Sequence, residues 1–233
     1  MLRGYPVTST VNRPRGERKQ LLQKRIRLIV AVTIGYNLIE AIVAIAAGTV
    51  ASSGALIGFG LDSTIEVMSA AAVAWQFTRK DPERWGKGTL RVIALAFFAL
   101  AVYVGVNSVL ALTGMVEAEH STVGIVLTAL SVVIMPFLSL AERRTGRELG
   151  SATAVADSKQ TLICTYLSAA VLIGLLLNSL LGWWWADPLA GLVIVVFATR
   201  EGIEAWKGDA CATSVGTLLE DDSDPDHDRE DHH

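Results

Sequence analysis

The chain has 233 residues, of which 52% are hydrophobic and only 18% charged, with a mean hydropathy of +0.44 and a formal net charge of −3. Strongly apolar blocks separated by polar segments argue against a soluble globular domain, because almost no amphipathic helix is left to cover them. The two cysteines, Cys164 and Cys211, provide no disulfide framework, and no nucleic-acid partner is expected.

Residues 1–25 read as a basic cytoplasmic tail, with eight basic residues from Arg3 to Arg27. The tail is not a signal peptide, since the first apolar run starts only at Ile26, far exceeds a signal core and has no evident cleavage site. Its expected role is to fix orientation, with acidic lipid head groups as a possible contact. A spanning helix needs about 20 mainly apolar residues. Six blocks meet that need within a boundary error of about 2–4 residues: Ile26–Val50, Ser53–Phe77, Leu90–Leu112, Val123–Leu140, Ala152–Leu181 and Pro188–Ala205. The expected fold class is all-α, a six-helix transmembrane bundle over residues 26–206.

In the first block Thr33, Asn37 and Glu40 share a helical face. The second carries Asp62 and Glu66 in a run from Ser53 to Phe77 that has no other charge. Positions four residues apart lie on one face of a helix, and each charge at membrane depth costs about 3 kcal/mol on insertion scales. Two such acids also repel each other unless a cation or proton lies between them. The third block adds Asn107 and Ser108.

The fifth block collects a second polar face. At about 100° per residue, Asp157, Gln160, Thr161, Cys164, Thr165 and Ser168 point one way, while Lys159, Ile163 and Tyr166 point elsewhere. Gln160 and Asp62 each lie about 14 Å into a core about 30 Å thick, so the two polar faces sit at compatible heights. Asn37, Asn107 and Asn178 are expected to hydrogen-bond between helices, Lys159 to snorkel to the interface, and Glu40 to need a partner or a proton.

The connections sort by charge. Arg79, Lys80, Arg84, Lys87 and Arg91 fall between the second and third blocks, and Arg143, Arg144 and Arg147 between the fourth and fifth. The alternate connections, Ala51–Ser52, Thr113–Thr122 and Gly182–Asp187, hold no Lys or Arg. Positive residues favour the cytoplasmic side, which places both termini inside and Trp183, Trp184 and Trp185 at the outer interface.

The segment Gly58-Phe59-Gly60-Leu61-Asp62-Ser63-Thr64-Ile65-Glu66 resembles the second helix of the cation diffusion facilitators, in which an Asp or His precedes an Asp by four residues. Ala156-Asp157-Ser158-Lys159-Gln160-Thr161-Leu162-Ile163-Cys164 resembles the fifth-helix motif of that family, and Asp187-Pro188 fits the start of its sixth. The resemblance covers roughly Arg27 to Trp206. It implies a homodimeric exporter of divalent metal such as zinc, exchanging the metal for protons in the bacterial plasma membrane, with no resident cofactor.

By position, the metal ligands that the resemblance implies are Asp62, Glu66, Gln160 and Cys164. The last two depart from the His and Asp usual in the family, and an alternative register nominates Asp157 and Thr161. A thiolate is a good zinc ligand and an amide oxygen a poor one. Mixed oxygen and sulfur ligands suit zinc better than magnesium or calcium. Carboxylates and thiols bind metal only after losing their protons, so protons and metal compete for the same atoms.

A second departure is that typical family members carry a cytoplasmic metal-binding domain after helix six. Here residues 207–233 are expected to form an acidic, His-containing cytoplasmic tail, disordered and without a soluble domain. Two other readings are a non-transporting membrane scaffold that keeps the fold, and a carrier of another cation or small solute. No enzyme is expected, because the chain has no His-Glu-x-x-His stretch, Gly-x-Ser-x-Gly elbow or phosphate-binding glycine loop.

Overall fold

The computed structural model describes residues 15–77, 82–116, 118–150 and 152–207. The acidic tail therefore lies outside the described residues, as do residues 1–14 of the basic one. The rest forms six helices in chain order: α1 (Arg15–Val50), α2 (Gly54–Phe77), α3 (Pro82–Leu112), α4 (Thr122–Leu149), α5 (Ala152–Leu181) and α6 (Ala186–Lys207). Each apolar block expected from the sequence lies on its own helix.

Three helices run well past the apolar blocks. α1 starts at Arg15 rather than Ile26, α3 at Pro82 rather than Leu90, and α4 continues to Leu149 rather than Leu140. Hydropathy marks the apolar slab, whereas the helix continues through Arg, Lys and Glu, which are good helix formers in water. α4 stops where Gly150 adopts φ 75° and its N–H bonds back to the carbonyls of Gly146 and Arg147. Its start is capped by Ser121, whose hydroxyl accepts the N–H of Gly124 at 3.1 Å.

Among the described residues, four helices are long and apolar enough to cross a membrane, over Gln20–Val50, Leu90–Leu112, Thr122–Leu149 and Ser158–Leu181. α2 and α6, which carry carboxylates within their length, complete the bundle. The helices close a ring in the order α1, α2, α3, α6, α5, α4, with α2 also packed on α6 and more sparsely on α5. Phe59, Leu56, Val104, Leu167, Val171 and Ile194 fill the centre. Leu28, Ile39, Ile42, Val92, Val102 and Phe137 are all exposed on the outside. A girdle of this extent on every side suits lipid, not water.

The α1–α2 contact is unusually close, and glycine permits it. A Cβ on Gly48 would lie 2.8 Å from the backbone nitrogen of Ile57, and one on Gly60 would lie 2.9 Å from that of Ile45. Backbone cannot retreat as a flexible side chain can, so these positions accept no larger residue without separating the helices. The approach sets Asn37 opposite Glu66 and Glu40 opposite Ser63.

At the start of α2, Ser53 donates to Asp187 at 2.5 Å and accepts the N–H of Leu56 at 3.0 Å. The Asp187 carboxylate thus sits at the positive end of the α2 dipole, tying α2 to α6. Replacing Gly60 by Val is expected to destabilise the bundle by about 1–3 kcal/mol through forced separation of α1 and α2. Thermal unfolding in detergent checks this; an unchanged midpoint would show that the crossing tolerates a side chain.

Candidate metal centre

α2 presents Asp62 and Glu66 one turn apart toward α5, which returns Gln160 and Cys164. One ligand atom each from Asp62, Glu66 and Cys164 lies within 4.8 Å of the other two. That span is slightly more than twice the ~2.0–2.3 Å bond of zinc to oxygen or sulfur. A small inward turn of the side chains would close the set around one ion.

Glu66 is the hub. Asn37 Nδ2 donates to its Oε2 at 2.7 Å, while the Cys164 thiol and Gln160 Nε2 donate to its Oε1 at 2.9 and 3.3 Å. Three donors from two helices, α1 and α5, therefore fix one carboxylate of α2, and Gln160 serves it as a donor through its amide nitrogen. Since the thiol donates, the sulfur carries its proton in this arrangement, and a metal bound there would have to displace it.

The charges around this hub are all of one sign. Asp62 and Glu66 act on each other, and Glu40 and Glu201 add further acidic groups around them. No Lys or Arg is among them for the described residues, and Lys159 is exposed. Asp62 is buried and Glu66 partly so. A pocket of acids with no basic partner and a low local dielectric attracts a cation or holds protons.

The polar face expected on α5 is present: Thr161, Cys164, Thr165 and Ser168 are buried while Tyr166 is exposed. Only part of it reaches the centre. Thr165 and Ser168 donate to carbonyls one turn back on their own helix, and Thr161 donates to Glu142 Oε2 at 3.2 Å. The side chain of Asp157, the remaining candidate ligand, lies outside the described residues.

Two residues have larger parts than their sequence context suggested. Asn37, expected as a helix-to-helix contact, is the shortest of the three donors to Glu66, and its Oδ1 is buried without a hydrogen-bond partner. Glu142 is fully buried on α4, although it precedes Arg143 and Arg144 in what reads as a cytoplasmic connection. Its helical phase with the buried Thr128, Ser131, Met135 and Ser139 is the signal that would have found it. Among the described residues Asn107 bonds within α3, and Asn178 ties the α3–α4 connection through the Ala118 carbonyl at 2.8 Å.

A family model described as the cation efflux transmembrane domain matches residues 30–207. Over 108 residues the chain is 34% identical to the cation-efflux pump FieF of Shewanella oneidensis, a match covering 46% of this chain and 34% of that relative. The chain thus spans about a third of the length of the curated relative it matches.

Asn37→Leu removes the shortest donor to Glu66 and, if a metal ion such as zinc binds here, is expected to weaken that binding about 10-fold or more, as loss of a ligand-orienting hydrogen bond does elsewhere. Competition against a chromophoric chelator measures this, and wild-type affinity in a folded variant would exclude Asn37 from the centre.

Proposed function

Because the chain belongs to the cation efflux, or cation diffusion facilitator, family, we propose that it exports a divalent transition metal, zinc or a close chemical relative, from the cytoplasm in exchange for protons. The observation that supports this reading most is the convergence of Asp62, Glu66 and Cys164 on one point between α2 and α5. The six-helix unit over residues 26–206 would act in the plasma membrane as a homodimer with both termini cytoplasmic, with residues 207–233 as a solvating acidic tail.

The chemistry follows from the donor set. In the proton-loaded state the thiol hydrogen sits on Cys164 and bonds to Glu66. An entering divalent ion offsets the repulsion between the two carboxylates and replaces that hydrogen, since sulfur binds metal as thiolate. Asn37 and Gln160 keep Glu66 oriented while its electron pairs turn to the metal. When the centre faces the opposite side, returning protons compete for the same atoms and release the ion. The sulfur ligand favours zinc or cadmium over magnesium and calcium.

Asp62→Ala is expected to abolish zinc uptake into proteoliposomes driven by a proton gradient, while the wild type transports. Wild-type rates from the folded variant would exclude this centre. Failure of the wild type itself, across several divalent metals, would favour the non-transporting scaffold.

Cys164→Ser is expected to shift preference away from zinc and cadmium toward harder ions such as manganese, read from uptake competition. An unchanged metal profile would remove the thiol from the centre. Apparent zinc affinity should also fall with acidification, by up to about tenfold per pH unit for each proton displaced, and a pH-independent titration would contradict the competition.

A further inference from the structure

Glu40 lies outside the set of ligand atoms and has its own polar surroundings. It is 1% exposed, in the middle of α1. Its Oε2 accepts from Ser63 of α2 at 2.9 Å, and its Oε1 faces the hydroxyl of Ser131 on α4. Ser131 also meets the Tyr36 hydroxyl at 2.8 Å and the Leu127 carbonyl at 3.0 Å, and Ser63 meets the Phe59 carbonyl at 3.2 Å.

Five contacts therefore share the three hydroxyl protons of Tyr36, Ser63 and Ser131. With Glu40 ionised, both serines turn their protons to the carboxylate. With Glu40 protonated, its O–H donates to Ser131, which also accepts from Tyr36 and turns its own proton to the Leu127 carbonyl. Both arrangements keep the carboxyl hydrogen-bonded, so the cluster can hold or lose one proton without a buried oxygen being orphaned.

We propose that Glu40 is a second proton-carrying group, which gives up its proton when the neighbouring centre takes up metal and regains it on release, without itself touching the ion. This rests on the transport reading above. Among the described residues, the ionisable groups near enough to feel its charge are Tyr36 of its own helix, Asp62 and Glu66 of α2, and Cys164 of α5, while the contact from α4 is the Ser131 hydroxyl. None of these is basic. Without metal, an ionised Glu40 meets neighbours that are neutral when protonated and negative when not, so nothing offsets its charge. A divalent cation in the centre makes the local field positive and favours the ionised form.

The test uses the full chain in detergent with zinc as the probe. Calorimetry in buffers of different ionisation enthalpy counts the protons released per zinc ion bound. Glu40→Gln reproduces the shape of the protonated acid and is expected to bind zinc while releasing about one proton fewer per ion. Glu40→Asp keeps an acid and is expected to restore the release. A Glu40→Gln protein that binds zinc and releases as many protons as the wild type overturns the proposal.

Should the amide variant fail to fold, Ser131→Ala serves instead, since it removes the hydroxyl that steadies the ionised carboxylate. Its zinc-binding profile is expected to move to higher pH, and an unmoved profile overturns the role of Glu40. The two readings fail separately. Zinc binding that survives Asp62→Ala overturns the centre, whereas proton release that survives Glu40→Gln overturns only the relay.

Discussion

Everything polar in this bundle is arranged around the cost of holding acids at membrane depth. Asp62 and Glu40 are buried, Glu66 is partly so, and the charged groups acting on Asp62 and Glu66 are further acids. An unpaired charge in such surroundings costs several kcal/mol. The bundle meets that cost with neutral donors: Asn37, Gln160 and Cys164 for Glu66, and Ser63 and Ser131 for Glu40. A lysine would have neutralised an acid permanently. Amides, hydroxyls and a thiol leave the site dependent on a mobile cation or proton, which is what a carrier of cations requires.

The same constraint explains the helix packing. Donors from α1 reach acids on α2 only if those helices approach closely, and Gly48 and Gly60 allow that approach. α2 and α5 touch sparsely along their lengths, so Glu66 bridges them chiefly through the side chains of Gln160 and Cys164. A centre at a lightly packed helix boundary can be remade by modest movement, whereas the α1–α2 crossing cannot. Asn37 and Glu40 thus reach acids and hydroxyls of α2 across a close crossing, whereas Gln160 and Cys164 reach Glu66 across a sparse one.

Much of this was legible in the sequence because a charge inside an apolar run is a strong signal. Asp62 and Glu66 stand out for that reason, while the helical phase of α5 gathers Gln160 and Cys164 with four other residues on one face, from which the family resemblance singles out these two. The six apolar blocks also have their helices. Helix ends were less legible, since the apolar slab stops at Leu140 while α4 continues through Glu142 to Leu149. Glu142 was hidden by its basic neighbours, and Asn37 by the ordinary role of asparagine between membrane helices. Nothing in local sequence distinguishes Gly60, which meets the backbone of α1, from Gly35, which would accept a Cβ in open space. Pairings across the bundle, such as Glu40 with Ser131, depend on three-dimensional packing that no sequence period encodes.

In the proposed transport cycle a transition metal binds among the Asp62 and Glu66 carboxylates and the Cys164 thiolate, between α2 and α5. X-ray absorption of the zinc-loaded protein tests it most directly. The expected result is a mixed shell with one sulfur at about 2.3 Å, alongside oxygen ligands, and loss of that sulfur in Cys164→Ser. A shell of oxygen alone in the wild type would place the metal elsewhere and contradict the account.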